Sequence, residues 1–413
     1  MKKILSKIYQ KESTVLVIGL GYVGLPLLKM IIKSGFKGIG LDINKELVKV
    51  LRKKNKKILF YDNYYDINFD FIDIVIIALP TPLKKKNLPD LSYIERCRDK
   101  LFELIKNPKL IILESTSYPG TTRELFVNKL NKNQLLGKNI FIGYSPERED
   151  PGNKKFNIKT ITKIVSGATE SCKNLTKVFY DQVCNKTIVA NTIEIAEMAK
   201  LFENIFRSVN IGLSNETNEI CNKLNINFNE VLKLASTKPF GFMPFYPGPG
   251  VGGHCIPVDP FYLSWLAKRK KINTQFIELA GKINNSQPLK VLNKIKKIFN
   301  IYKVNKHKKI LVLGLAYKKN VADLRNSPGL TIFQKLIDYD YNVEFNDDHV
   351  LKINYRKKNY SSVKINKKII KKYEVIILLT DHDYINRNLF IHNSKLIIDT
   401  RNFFPTKNNV MYL

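Results

Sequence analysis

The segment Thr14-Val-Leu-Val-Ile-Gly-Leu-Gly-Tyr-Val-Gly24 limits what this chain can fold into more than any other part of it. Five apolar or β-branched residues run directly into Gly19, Gly21 and Gly24, and an apolar helical stretch from Leu25 to Ser34 follows. A continuous apolar run closed by glycine is the pattern of a strand buried on both faces, as in a parallel sheet covered by helices. Gly19 makes the tight turn, Gly21 lets the backbone approach a pyrophosphate, and Gly24 lets helix and strand pack closely. Tyr22 and Val23 complete the loop, and the helix N-terminus adds free N–H groups and a positive dipole end. The next run, Lys37-Gly-Ile-Gly-Leu-Asp42, ends on an acid 18 residues after Gly24. A carboxylate there accepts hydrogen bonds from a ribose diol and repels a 2′-phosphate, so the expected cofactor is NAD.

Strand and helix patterns keep alternating. Asp73-Ile-Val-Ile-Ile-Ala-Leu79, Leu110-Ile-Ile-Leu113 and Asn139-Ile-Phe-Ile-Gly143 read as further strands, which gives a doubly wound α/β domain over residues 1–191. From Thr192 the spacing becomes helical, and residues 192–300 read as an all-helical region with one long helix. Alternation returns near Lys308, after a basic linker from Asn300 to Lys308. Lys309-Ile-Leu-Val-Leu-Gly-Leu315, Asn342-Val-Glu-Phe345, Glu374-Val-Ile-Ile-Leu-Leu379 and Lys395-Leu-Ile-Ile-Asp399 predict a second doubly wound domain over 301–413. The fold class is therefore α/β: two Rossmann-like domains joined by a central helical region.

A formal net charge of +33 raises the question of a nucleic-acid partner, but only 11 of the 69 basic residues are Arg. Arg is the better bidentate reader of phosphate and base edges, and the lysines are spread along the whole chain. The expectation is no nucleic acid and a field that favours a small anionic substrate. No apolar run reaches about 18 residues, so no spanning helix is expected and the membrane is not a partner. Five scattered cysteines with no CxxC pair argue against disulfides and against a zinc site, and fit a reducing cytoplasm with no bound metal.

Cys255 lies in Tyr246-Pro-Gly-Pro-Gly-Val-Gly-Gly-His-Cys-Ile-Pro-Val-Asp-Pro260, where six of the ten preceding residues are Gly or Pro. Such a segment is a tightly turned loop. The thiol reads either as a buried structural cysteine or as a nucleophile with Asp259 nearby. Asp259 is correspondingly a base, direct or through water, or a turn acid beside Pro260. Lys200 and Asn204, four apart on the long helix, share a face; they can stabilise an oxyanion together, or Lys200 can be an ordinary solvated lysine. Thr81, Ser115 and Thr116 follow strand ends, where they can bond ribose or nicotinamide or simply make turns. Glu147, also after a strand end, either faces the same crevice or is a solvated loop acid.

A dehydrogenase with a nucleophilic thiol has a definite logic. Oxidation of an alcohol gives an aldehyde, the thiolate adds to it, a second oxidation gives a thioester, and water releases a carboxylate. Two NAD are used per substrate. A rival reading is transient oxidation in an epimerase, which consumes no NAD; a non-enzyme reading is a basic binding protein with a vestigial cofactor fold.

Taken together, the GxGxxG opening, Ser145-Pro-Glu147, Glu197-Met-Ala-Lys-Leu-Phe-Glu-Asn204, Gly252-Gly-His-Cys255 with Asp259, Leu315-Ala-Tyr-Lys318, Asp323-Leu-Arg325-Asn-Ser-Pro328 and Asp399-Thr-Arg401 resemble the UDP-glucose/GDP-mannose dehydrogenase family. Lys238-Pro-Phe-Gly-Phe242 and Phe245-Tyr-Pro-Gly-Pro-Gly250 are similar to the branch acting on UDP-N-acetylglucosamine, with UDP-N-acetylgalactosamine and UDP-glucose as alternatives. The resemblance implies oxidation of the sugar's 6-hydroxymethyl group to a uronic acid for surface polysaccharide. It makes Cys255 the nucleophile, Lys200 and Asn204 the oxygen-charge stabilisers, and Asp259 a proton carrier through water. It places Glu147 in the substrate site or in thioester hydrolysis and Gly252 against the substrate. Lys318 and Arg401 then bind the nucleotide sugar, Arg325 reaches the cofactor, and the middle region forms a homodimer or higher homo-oligomer. Two positions depart from the family pattern. Pro151 stands where glucose-type enzymes carry a second glutamate, and Asn326 replaces the usual acid after Arg325.

Overall fold

The computed structural model describes residues 1–150 and 158–413, and separates into two compact units, Met1–Glu203 and Asn204–Leu413. The first unit is built on an eight-stranded sheet. In chain order its strands are β1 (Thr14–Ile18), β2 (Lys37–Leu41), β3 (Leu59–Tyr61), β4 (Ile74–Ile77), β5 (Lys109–Leu113), β6 (Ile140–Tyr144), β7 (Lys163–Gly167) and β8 (Thr187–Val189). Their spatial order is β8-β7-β6-β5-β4-β1-β2-β3. The run 3-2-1-4-5-6 is the doubly wound dinucleotide-binding order, with its switch point between β1 and β4. Every described pairing is parallel except β6 with β7, where Tyr144 lies opposite Ser166 in antiparallel register.

The reason for the sheet is burial on both faces. Val15, Val17, Ile74, Ile76, Leu110 and Ile112 share one core with Leu27, Leu28 and Ile31 of helix Gly24–Lys33. At about 25 cal/mol per Å² of apolar surface, each fully buried aliphatic side chain contributes about 1.5–3 kcal/mol. Three strands, β3, β7 and β8, lie outside those the sequence predicts. β3 and β8 have three residues each, and β7 opens on a lysine, so none shows a long apolar run.

The long helix Ile193–Lys223 crosses the division between the units. The second unit continues with helices Phe228–Ala235, Asp259–Arg269 and Gln275–Ile301. Its sheet comprises β9 (Ile310–Leu313), β10 (Val343–Asn346), β11 (Val375–Leu378), β12 (Ile397–Asp399) and β13 (Val410–Tyr412), ordered β10-β9-β11-β12-β13 and parallel throughout. The α/β class, with one sheet parallel but for the β6–β7 pair, a second sheet parallel throughout and a helical middle, is as the sequence predicts. The segment Asn300–Lys308 is not a free linker: helix Gln275–Ile301 runs into it, and Phe299 and Val304 are buried in the same core as β9 and β10. No helix among the described residues is long and apolar enough to cross a membrane.

Candidate active site

In the first unit the glycine turn takes the form its residues require. Gly19 has φ +92°, and a Cβ there would lie 2.5 Å from the Ala78 carbonyl oxygen; at Gly24 it would lie 1.8 Å from the Gly19 oxygen. Gly21 is the opposite case, with nothing within 4 Å of the Cβ direction, which is the open side a pyrophosphate needs. Asp42 accepts the Leu20 N–H on Oδ2 at 2.8 Å and the Asn44 N–H on Oδ1 at 2.9 Å. The carboxylate thus pins the loop and keeps lone pairs for a ribose diol. Val23 caps helix Gly24–Lys33 and Tyr22 is exposed beside it. Turn, open cradle, helix start and acid together fit a dinucleotide. Ser115 is less free than expected: its hydroxyl donates to the Leu79 carbonyl at 2.7 Å, tying the loops after β4 and β5 together. Thr81 and Thr116 are half-buried in those same loops.

Glu147 is not a solvated loop acid. It is nearly buried, its Oε1 accepts the N–H groups of Arg148 (2.7 Å) and Glu149 (2.6 Å), and its Oε2 faces the Lys163 ammonium at 3.2 Å. Lys163 also bonds Glu114 at 2.7 Å, and Tyr180 donates its hydroxyl to the other Glu114 oxygen. Burial pushes Glu114 up to about 7 despite the Lys163 charge. Burial works in the same direction on Glu147, yet Lys163 and the two backbone N–H groups hold it below the ordinary carboxylate value. Sequence reasoning missed Glu114, Lys163 and Tyr180 as a group. The available signal was a lysine opening the apolar run Lys163-Ile-Val. The Pro151 position lies outside the described residues.

Lys200 is buried on the long helix, which removes the solvated-lysine reading. One turn earlier, Glu197 is fully buried and accepts the N–H groups of Gly120 (2.5 Å) and Thr122 (2.9 Å) and the Thr122 hydroxyl (2.7 Å). Burial lifts its carboxyl to about 7.

In the second unit the cysteine loop is fastened at several points. The Gly248 N–H donates to Asn215 Oδ1 at 3.0 Å, and Gln287 Nε2 donates to the Gly248 oxygen at 3.1 Å. A Cβ on Gly252 would lie 2.5 Å from Tyr317 Cβ. Gly253, at φ +85°, donates its N–H to the Arg325 carbonyl at 2.8 Å and accepts from Asn326 Nδ2 at 2.9 Å. Asn326 itself has φ +49°, a left-handed conformation that Asn tolerates, and its amide donates where a carboxylate could not. The departure at this position is therefore a clamp on the loop.

Cys255 follows two residues later, half-buried, while the other four cysteines are buried; none of the five is in a disulfide. The Cys255 carbonyl accepts the N–H groups of Val258 (3.0 Å) and Asp259 (2.8 Å), so the thiol-bearing residue is locked to the first turn of helix Asp259–Arg269. Asp259 is buried, and Asn204 Nδ2 donates to its Oδ2 at 2.6 Å. That bond joins two predicted site residues 55 positions apart. Lys318 is half-buried in the loop after β9. Arg401 donates through Nε to the Leu379 carbonyl at 2.9 Å, and its guanidinium lies where a Cβ on Gly248 would come within 2.7 Å. Burial works against the Arg401 charge. The Arg325 guanidinium pairs with Asp323 through Nη2 and Oδ2 at 2.6 Å, and its main chain holds the cysteine loop.

Three regions match models of one family, the UDP-glucose/GDP-mannose dehydrogenases: the NAD binding domain over residues 13–184, the central domain over 194–286 and the UDP binding domain over 311–406. Protein CapL of Staphylococcus aureus is 38% identical over 396 residues, spanning 90% of this chain and 92% of the relative. UDP-N-acetyl-D-glucosamine 6-dehydrogenase of Pseudomonas aeruginosa is 34% identical over 358 residues, spanning 82% and 84%. Among solved structures, the UDP-D-ManNAc dehydrogenase from Pyrococcus horikoshii superimposes with a TM-score of 0.83 at 29% identity, covering 97% of this chain and 98% of that one.

Proposed function

The chain belongs to the UDP-glucose/GDP-mannose dehydrogenase family of NAD-dependent oxidoreductases, and on that premise we propose that it oxidises the 6-hydroxymethyl group of a UDP-N-acetylhexosamine, UDP-N-acetylglucosamine first, to the uronic acid. The observation that carries this reading is the fastened Cys255 loop, with Asp259 buried behind it and hydrogen-bonded to Asn204. Bound NAD supplies hydride acceptance, once for each oxidation. Residues Gly19 to Gly24 and Asp42 hold its pyrophosphate and ribose, with Thr81, Ser115 and Thr116 lining the same strand ends and Arg325 reaching toward it. Cys255 adds as thiolate to the aldehyde carbon, forming a thiohemiacetal, and after the second oxidation it holds the sugar as a thioester. Lys200 and Asn204 stabilise the oxygen charge that develops at each addition. Asp259 moves protons through water, and Glu147 serves the hydrolysis that frees the acid and the thiolate. Gly252, Lys318 and Arg401 bind the nucleotide sugar.

In this reading residues 1–191 bind NAD, 192–300 mediate self-association and 301–413 bind the UDP-sugar, in a cytoplasmic enzyme that serves surface polysaccharide synthesis. A homo-oligomer is supported by Ile195, Phe202, Phe206, Leu213 and Ile220. They are exposed along the long helix at intervals of seven, four, seven and seven residues, the spacing of a packing stripe.

A second substrate reading, UDP-N-acetylmannosamine, is favoured by the similarity to the Pyrococcus enzyme. A screen of UDP-sugars with NADH counted per sugar decides. Two equivalents with UDP-N-acetylglucosamine support the first reading, and two with the manno epimer alone transfer the function to that sugar. One equivalent with every sugar would stop the reaction at the aldehyde and sink the proposal. Absence of any NADH signal, with salt-sensitive nucleic-acid binding, would favour a binding protein instead.

A further inference from the structure

The cluster of Glu114, Glu147, Lys163 and Tyr180 holds two carboxylates and one ammonium out of water. A buried group serving stability alone is poorly made this way, because a second carboxylate without a second cation is costly to desolvate. Topology brings the cation there. β6 ends at the sheet's carboxyl edge, where ligands bind in open α/β sheets, and β7 returns antiparallel to it. Continuing the register Tyr144↔Ser166 sets residue 147 opposite residue 163. The ammonium then bridges inward to Glu114 at 2.7 Å and outward to Glu147 at 3.2 Å, and lies 5.3 Å from the centre of the Tyr180 ring. Glu147 is the most exposed of the three charged members, at 9%, against 1% for Glu114 and 3% for Lys163.

We infer that Lys163, anchored by Glu114 and Tyr180, is a positioning residue that fixes the Glu147 carboxylate and keeps it charged, as a proton acceptor. The inference rests on the assignment of Glu147 to the hydrolysis above. In that step water adds to the thioester carbonyl, the C–S bond breaks, the sulfur leaves as thiolate and Glu147 takes the proton. Only an ionised, fixed carboxylate can do this. The division of roles follows from the surroundings. Burial raises the proton affinity of Glu114, enclosed with a phenol, while Lys163 and two N–H groups hold that of Glu147 below the ordinary carboxylate value. Other titratable and charged groups bearing on the cluster are Glu149 and Arg148 beside Glu147, Asp150 beyond them, Glu203 paired with Arg148 at 2.6 Å, and Cys184, itself near Asp181, on the helical side.

The test compares Glu147→Gln, Lys163→Arg, Glu114→Gln and the charge-balanced double variant Lys163→Met/Glu114→Gln. Read-outs are the pH profiles of kcat and KM and the melting temperature. Titration of the Glu147 carboxyl carbon in the NAD-free protein, labelled with 13C at glutamate side chains, is read alongside. In the double variant the acid limb of kcat and the Glu147 titration should both rise by roughly one pH unit or more, with KM little changed. Lys163→Arg should restore both, and Glu114→Gln should leave both at or below the native position. A folded double variant with unmoved acid limb and unmoved Glu147 titration overturns the inference, even if kcat falls. Glu147→Gln with native turnover overturns the underlying assignment instead; the carbon titration of Glu147 still reports on Lys163, so the two failures are distinct.

Discussion

The loop carrying Cys255 contains three glycines whose environments separate two physical costs, and replacing each by alanine measures how firmly the thiol is placed. Gly241 has φ +69° but nothing within 4 Å of its Cβ direction, so Gly241→Ala meets only the left-handed backbone penalty, about 1–2 kcal/mol. Gly252 has no left-handed φ, but its Cβ would lie 2.5 Å from Tyr317 Cβ and 3.0 Å from the Asn326 oxygen, so Gly252→Ala meets only crowding, about 1–3 kcal/mol. Gly253 has both, with φ +85° and Tyr317 ring carbons at 2.9 and 3.0 Å. The two terms together make about 2–5 kcal/mol for Gly253→Ala. At about 2–4 °C per kcal/mol for a unit of this size, Gly241→Ala lowers melting by roughly 2–8 °C and Gly253→Ala by more. Activity separates the variants further. Relief at Gly253 must displace the loop and its bonds to Arg325 and Asn326, and a shift of about 1 Å at a reacting group costs about 10²-fold in rate. Calorimetry, kcat and the rate of Cys255 alkylation are read together. If Gly253→Ala melts no lower than Gly241→Ala and keeps native kcat, the loop does not place the thiol and the reasoning fails.

Asn204→Ala leaves the buried Asp259 carboxylate without that donor, a loss of about 1.5–3 kcal/mol, read as a lower melting temperature together with lower kcat; a melting temperature equal to the native one refutes the bond's importance. Asp347, fully buried, accepts the N–H groups of Leu315, Ala316, His349 and Val350 and pairs with His382. Burial raises its proton affinity, but His382 and these N–H groups outweigh burial and the carboxyl sits below its ordinary value. Its stabilisation is present above the unfolded-state value and lost as pH falls through the folded one, so acid melting of the second unit should lose part of its pH dependence in Asp347→Asn. Phe202→Glu, on the exposed apolar stripe, should shift light-scattering mass toward the monomer; an unchanged mass places the interface elsewhere.

What could be read in the sequence was what the backbone dictates locally. Gly19, Gly24 and Asp42 announce themselves because one turn, one close packing and one strand end need those residue types. The Gly/Pro density before Cys255 likewise forecast a rigid loop. What could not be read depends on contacts between distant segments. Glu114 and Lys163 are 49 positions apart and meet only because β7 reverses direction beside β6. Asn326 looked like a departure until its left-handed φ and its bond to Gly253 explained it. Lys200 could not be told from a surface lysine by spacing, since helical periodicity does not distinguish a buried polar face from a solvated one. Pro288 lies inside helix Gln275–Ile301 against Gly250, a packing role invisible from its residue type.

In the proposed reaction the Cys255 sulfur carries the sugar between the two oxidations and hydrolysis. Rapid-quench mass spectrometry of intact protein and its peptides, with UDP-N-acetylglucosamine and NAD, tests it in Asp259→Asn and Glu147→Gln. The predicted result is a sugar-nucleotide adduct confined to the peptide bearing Cys255. NADH formation with no adduct on that cysteine in either variant would contradict it.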